Sequence, residues 1–498
     1  MESQKSILLV TVDCLRADHV GFMGYPRGTT PFLDTLAAES FVVPNAIVAG
    51  APTYYSLPAI FASRYPLALG RDIVGLGADE PTIASTLKHA GHATAAFGAG
   101  NPYISSRFGY EQGFDTFRDY LDGDVAPSEL TTGPENGVGW ASRLNRSLQQ
   151  RRKLMGPLGI VYDELYFRYC QRVIPAPASL DALRRFPAAD VIVDHASNWL
   201  ASIGDRPFFL WLHLMDPHSP YYPKDEALAL MGQSQVRPPH VRYSNSYWNR
   251  SDLAPGRFEG RREEIIALYD AGIRWADEQL RRLVEWLRAA NRWNDCIFAL
   301  TADHGEEFLD HGGRYHPPAN LMEELIHVPL LLRVPGIAAP QTARTPFSLI
   351  HLAPTLLDCA GLAVPGEFRR SYWPELQSGK NFDDAAISEC IAGCTNPFRA
   401  ESRMGPRVLS VRESRYKLVL HFDPAAENLY DLESDPGEQS PLSTAAQKPV
   451  RRRLLETARE HLRRSSEERD WRSRMQARLR ELQLEWDKPA DNAAPVAC

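Results

Sequence analysis

Short apolar runs punctuate the chain: Ile7 to Val12, Ala93 to Phe97, Phe208 to Leu214, Ile297 to Thr301 and Val328 to Val334. They are rich in β-branched or aromatic residues and bounded by turn signals, which predicts strands buried on both faces. Segments with helix start and stop signals lie between them. Thr30-Pro31 opens Phe32 to Glu39, and Thr82 to Ala90 closes on Gly91. Apolar strands alternating with helices predict an α/β fold with a largely parallel sheet sandwiched by helices.

Residues 120–187 break the alternation with a Gly/Pro-containing stretch, then basic and aromatic segments. Such a stretch is expected to be an insertion or lid within a catalytic domain of residues 1–361. Beyond Leu362 the pattern turns irregular, with a strand expected at Tyr416 to Leu420, and residues 362–446 are read as a smaller α+β C-terminal domain. From Arg451 to Lys488 the chain is rich in Arg and Glu and spaces Trp471, Met475, Leu479, Leu482 and Trp486 on one helix face. Residues 447–488 are therefore expected to form a charged amphipathic helix that packs or binds a partner, a second copy of the chain included. Residues 489–498 read as a disordered end. No internal repeat is present.

The 498 residues are 44% hydrophobic and 23% charged, a globular composition that sets disorder aside. Lys plus Arg (55) against Asp plus Glu (62) leaves a net charge of -7. No global basic field collects nucleic acid, and an anionic substrate must be held by a local site. Seven scattered cysteines argue against a disulfide framework, and Cys390 with Cys394 lacks a second pair to complete a zinc site. The first apolar run is too short for a signal or transmembrane segment, so a soluble, cytoplasmic protein is expected.

Ligands of open α/β sheets bind outside the carboxyl ends of the strands. There the first run ends in Asp13-Cys14-Leu15-Arg16, the middle one passes His213 to reach Asp216-Pro217-His218, and a later one ends in Asp303-His304-Gly305-Glu306. Asp13, Asp303 and His304 supply two carboxylates and an imidazole, a donor set suited to Mn, Zn or Ca more than to a thiolate-loving metal. Taken singly, an Asp at a strand–helix junction is equally a helix cap.

The stretch Leu9 to His19, Pro52-Thr53 to Arg64-Tyr65-Pro66, Arg107 to Asp115, Asp216 to Tyr221, Thr301 to Glu307, Glu323 to Pro329 and Asn428 to Glu438 follow one another in family order. Together they resemble the sulfatase branch of the alkaline phosphatase superfamily. That resemblance implies one divalent metal ion (Mn, Zn, Ca or Mg) and a metal-bound nucleophile attacking phosphorus or sulfur in line. The position of the modifiable cysteine of sulfatases holds Thr53, which cannot become formylglycine but can serve directly as an alkoxide. Ser56 is the competing nucleophile, with capping of a helix from Leu57 as its other role.

The chain departs from sulfatases elsewhere as well. Cys14 stands for the second of two consecutive Asp ligands, Asp303-His304 for Asp-Asn, Asn101 and Tyr103 for Lys and His, and the region of His316 for another lysine. The resulting set of Asp13, Thr53, Asp303 and His304 resembles the metal sites of phosphonate monoester hydrolases and lipoteichoic-acid-type phosphotransferases. By the same resemblance His218 and His316 contact the transferring group or protonate its leaving oxygen. Asn101, Tyr103 and Arg64 take substrate-side positions, Arg64 also supporting the nucleophile's helix, while Arg16, Asp18 and Cys14 brace the first loop. His311 and His327 read as structural. The expected function is metal-dependent hydrolysis of phosphate-type esters, on a small-molecule or conjugate substrate, through Thr53. The alternatives are a sulfate-ester hydrolase without formylglycine, a phosphotransferase whose acceptor pocket is the insertion, and a catalytically silent oxyanion-binding protein.

Overall fold

A computed structural model describes residues 4–71, 73–121, 157–173, 179–337, 345–382, 385–443 and 447–467. In chain order its strands are β1 (Ser6–Val12), β2 (Phe41–Val42), β3 (Ala46–Ile47), β4 (Ala93–Phe97), β5 (Thr116–Arg118), β6 (Phe208–Leu214), β7 (Cys296–Ala302), β8 (Glu307–Phe308), β9 (Arg314–Tyr315), β10 (His327–Val328), β11 (Leu330–Arg333) and β12 (Phe347–Ser348), followed in the C-terminal region by β13 (Ala386–Ile391), β14 (Arg407–Arg412), β15 (Tyr416–Phe422) and β16 (Ala425–Asp431). The helices that matter below are α1 (Pro31–Ala37), α2 (Thr53–Ala62), α3 (Ile83–His89), α4 (Pro157–Val173), α5 (Ala189–Ser202), α6 (Arg262–Ala289) and α7 (Lys448–Glu467).

The main sheet has the order β2-β11-β7-β1-β6-β4-β5. Its five strands from β7 to β5 are parallel, as the unbroken apolar runs lead one to expect, and every residue of β1, β6 and β7 is buried. The last apolar run behaves differently. Pro329 has no N–H for a ladder, and the run splits into β10, which pairs with β3 in a separate small sheet, and β11, which is antiparallel to both β7 and β2.

β13 to β16 form an antiparallel four-stranded sheet. α7 lays Leu454 and Ala458 on it, beside Leu409, Val411, Leu418 and Leu429. The first half of the expected amphipathic tail therefore spends its apolar face within the chain. Trp471, Met475, Leu479, Leu482 and Trp486 lie outside the described residues, as does the expected disordered end. Of the insertion, α4 and the return segment from residue 179 are described. Among the described residues no helix is long and apolar enough to cross a membrane.

What positions the site is register. Val12 pairs with Leu214 on one side and with Ala302 on the other, so Asp13 and Asp303 leave the sheet side by side. Gly305 permits the close approach behind them, because a Cβ there would sit 1.9 Å from the Glu324 carbonyl oxygen.

Candidate active site

Asp13, Asp303 and His304 are fully buried and Thr53 nearly so. His304 Nδ1 lies 2.7 Å from the Gly305 carbonyl oxygen, which fixes it as the N–H donor and leaves the Nε2 lone pair free. That Nε2 lies 3.2 Å from Thr53 Oγ1, 3.6 Å from Asp303 Oδ2 and 3.7 Å from Asp13 Oδ1. One nitrogen thus lies within 3.7 Å of the Thr53 hydroxyl and of one oxygen of each carboxylate. Asp303 Oδ1 accepts from the N–H groups of Cys14 (3.3 Å) and His304 (2.9 Å), whereas Oδ2, just as buried, has no hydrogen-bond partner among the described residues. A buried carboxylate oxygen left in this state calls for a cation. The residues present fit the divalent metal that the donor set implies.

Thr53 opens α2, while Ser56 lies inside the same helix with its hydroxyl turned to the Thr53 carbonyl oxygen at 3.2 Å. The helix begins before Ser56, so Ser56 is not its cap, and its hydroxyl is aimed along the helix. Arg64, just past the end of α2, is spent on Glu80 and on the carbonyls of Tyr65 and Gly75. It braces the chain after α2 rather than a substrate.

Asp13 is held from behind. Its Oδ2 accepts from Asn101 Nδ2 at 2.9 Å and from His213 Nε2 at 3.1 Å. His213 Nδ1 in turn takes the Thr11 hydroxyl at 2.8 Å, and Trp211 Nε1 donates to that hydroxyl at 2.9 Å. This relay fixes the His213 tautomer and aims its Nε2–H at the carboxylate. Burial works against the charge of Asp13, but the neighbouring His218, His213 and His304 hold its pKa well below the ordinary carboxylate value. Sequence reasoning passed over Thr11 and His213; the signal was a pair of polar residues inside otherwise apolar strands.

Cys14 adopts a left-handed backbone, φ 63°, and turns its thiol to Asp13 Oδ1 (3.1 Å) and His316 Nδ1 (3.5 Å). Burial, together with Glu306, Asp13 and Asp303, pushes that thiol's pKa well above the usual cysteine value. The β8–β9 ladder returns the chain so that His316 Nδ1 lies 3.2 Å from Glu306 Oε1. The His316 ring stands 4.6 Å from that of His304 and 5.1 Å from that of His218. His218 is turned by an Nδ1 contact of 2.5 Å with the Ser219 carbonyl oxygen and meets Phe186, from the end of the insertion, edge-on. Asp216 does not open onto the cleft. It pairs with Arg184 and accepts from Ala189 N at the start of α5, and burial pushes its pKa up to about 6 in spite of Arg184.

Arg16 grips Asp18 through two bonds of 2.8 Å and reaches Asp310 and the Glu306 carbonyl, so it locks the first loop onto the Asp303 segment. Asn101 spends its amide on Asp13 and its oxygen on Tyr103 N. The Tyr103 ring lies against Tyr54 and Phe398, the latter from the C-terminal region. His311 pairs with Glu324, and His327 with the Pro44 carbonyl. Glu306 is the other residue that sequence reasoning left out, a fully buried carboxylate whose Oε2 lacks a hydrogen-bond partner among the described residues.

Carboxylates and imidazoles gathered at the carboxyl edge of a parallel sheet stand where such folds bind their ligands. The sulfatase family profile matches residues 5–362, and one described as N-sulphoglucosamine sulphohydrolase, C-terminal, matches residues 314–467. The chain belongs to the sulfatase family, within the alkaline phosphatase superfamily. It is 27% identical over 293 residues to arylsulfatase K of Canis lupus familiaris, an alignment covering 50% of this chain and 51% of that one, about half the length of either. It is 21% identical over 483 residues to the multifunctional alkaline phosphatase superfamily protein PehA of Trinickia caryophylli, covering 89% and 91% of the two chains. Among solved structures, one in complex with its substrate D-glucosamine-2-N,6-O-disulfate superposes with a TM-score of 0.69 at 17% identity, over 93% of this chain and 99% of that one. The phosphonate monoester hydrolase of Agrobacterium radiobacter superposes with a TM-score of 0.63 at 20% identity, over 93% and 96%.

Proposed function

We propose that the protein hydrolyses phosphate-type esters, whether monoester, diester or phosphonate, with Thr53 as its nucleophile. The observation that carries this reading is the Thr53 hydroxyl at the start of α2, 3.2 Å from His304 Nε2, which itself lies 3.7 Å from Asp13 Oδ1 and 3.6 Å from Asp303 Oδ2. Asp13, Asp303, His304 and Thr53 would hold the divalent cation, which supplies positive charge to the transferring group's oxygens. Thr53 Oγ attacks phosphorus in line, its proton passing to water, and a Thr53–O–P bond forms as the bond to the leaving oxygen breaks. Water then cleaves that ester and restores the hydroxyl. The N-terminus of α2 favours the negative charge gathered there. His218 or His316 donates a proton to the departing oxygen and regains it from the water that cleaves the Thr53 ester.

Sulfate-ester hydrolysis is the second reading, favoured by the names of the arylsulfatase K relatives and of the C-terminal profile. Against it stands Thr53, which cannot form the aldehyde that sulfatases use. The test is a set of aryl phosphate, phosphodiester, phosphonate and sulfate esters with one leaving group, given to metal-reconstituted protein. The highest kcat/KM is expected among the phosphorus esters. An aryl sulfate that outruns all of them moves the assignment to the second reading, and no turnover of any ester supports a silent oxyanion binder.

A further inference from the structure

One face of α4 is apolar and open. Val161, Leu165, Tyr169 and Val173 follow one another at four-residue spacing, which lines them up along the helix. They keep 55%, 62%, 60% and 55% of their surface exposed. Large apolar side chains left in water side by side mark an interaction surface. Arg168 and Arg172 stand among them, both exposed, and none of positions 161, 165, 168, 169, 172 and 173 is acidic. We propose that this face of α4 docks on an anionic lipid surface.

The other side of the helix is committed inward. The Phe167 ring lies 5.4 Å from that of Tyr243 and 6.0 Å from that of Tyr247, and the Arg250 guanidinium stands 4.8 Å from its centroid. Arg250 also donates to Glu164 at 2.7 Å and to Asp252 at 2.8 Å, while its carbonyl accepts from Arg314 at 2.9 Å. Arg314 is two residues from His316, so α4 is moored to the segment that brings that imidazole to the site. Turning the apolar stripe inward would give up all of these contacts.

The chemistry of the stripe selects its occupant. From Val161 to Val173 it runs for about 18 Å along the helix, a ridge that can sink into the boundary between headgroups and acyl chains. Tyr169 has the apolar body and polar tip that suit that boundary. Arg168 and Arg172 can lay their stems on the apolar surface and hold their charges among lipid phosphates. The chain as a whole carries -7, so attraction to an anionic surface has to come from a local face such as this one. A second copy of the chain fits less well. Four side chains offer far less than the about 800 Å² that each partner buries in a standard interface, and two stacked stripes would set arginine against arginine.

The full chain is floated with vesicles of phosphatidylcholine mixed with phosphatidylglycerol, and with vesicles of phosphatidylcholine alone. Binding to the mixed vesicles is expected, weakening as salt rises, with the neutral vesicles bound about 10-fold less. Leu165→Glu/Tyr169→Glu and Arg168→Gln/Arg172→Gln, each with the circular dichroism of the parent, should lower the partition coefficient by about 10-fold or more. The salt and lipid dependence are read on the unaltered chain, so they test the face even where a variant fails to fold. No binding, equal binding to both kinds of vesicle, or binding that either double variant leaves unchanged would overturn the inference. A dimer that Leu165→Glu/Tyr169→Glu dissolves, without vesicle binding, would overturn it in favour of a second copy. None of these readouts involves Thr53 or turnover, so the inference stands or falls apart from the proposed function.

Discussion

Thr53 and His304 are 251 positions apart in the chain and 3.2 Å apart in space. If Thr53 is the nucleophile, Thr53→Ala should lower kcat by several orders of magnitude, whereas Thr53→Ser, which keeps a hydroxyl at the same place, should retain part of the rate. Mass spectrometry of a quenched turnover mixture should find the adduct on Thr53, and one on Ser56 would shift the role there. Behind the proposed ligands, the relay from Trp211 through Thr11 and His213 to Asp13 is expected to set how well Asp13 is aimed. Thr11→Val keeps the shape of the side chain but removes the hydroxyl between Trp211 and His213. It should weaken cation affinity by roughly 10–100-fold with secondary structure intact, measured by metal titration alongside circular dichroism; unchanged affinity would reduce the relay to packing. Asp13, Asp303 and His304 were legible in the sequence because a charged residue closing an apolar run has a reason to be there. Thr11 and His213 were not, because a polar residue inside such a run looks like a satisfied core residue until its partner strand is known.

At the scale of elements, local signals succeeded where the cap is local. Thr82 caps α3 as expected, its oxygen accepting from Ser85 N at 3.0 Å while Ser85 Oγ accepts from Thr82 N at 2.9 Å. Thr82→Ala should cost about 1 kcal/mol, seen as a lower denaturation midpoint at unchanged slope. α1 shows the other case. Thr30-Pro31 marks its start correctly, yet the Thr30 hydroxyl turns to Asp34 at 2.9 Å. The open N–H groups of Phe32 and Leu33 go instead to Asp277 on α6, at 3.1 and 2.9 Å. That cap comes from more than two hundred positions away, and burial drives the Asp277 pKa up to about 7 even with those bonds in place. Nothing near residue 30 could announce it. The split of the Val328 to Val334 run has a local cause in Pro329, but which sheet each half joins does not.

For the whole molecule, Glu389 on β13 shows how the C-terminal region is tied to the catalytic one. Its carboxylate accepts from Leu67 N (2.9 Å), shortly after α2, and from His461 Nε2 (3.0 Å) on α7, and it pairs with Arg407 on β14. Burial alone would raise its pKa, but Arg407 and His461 outweigh it and bring it down to about 2. An unfolded glutamate titrates near about 4.3, so the native state holds this group ionised where the unfolded chain takes up a proton. The contribution is full above the unfolded value and is lost as pH falls toward the native one. Thermal midpoints of the protein and of Glu389→Gln should therefore draw together between about pH 6 and about pH 3, and a gap independent of pH would show that the charge is not what ties the two regions. The sequence by itself determined the class of fold, because strands buried on both faces must be continuously apolar, and it pointed to the ends of those runs as the candidate site, because Asp13 and Asp303 close two of them. Only the tertiary structure decided that β7, β1 and β6 are neighbours in one register. That choice places Asp13, Asp303 and His213 together, and it follows from packing between segments hundreds of residues apart, for which a chain carries no local mark.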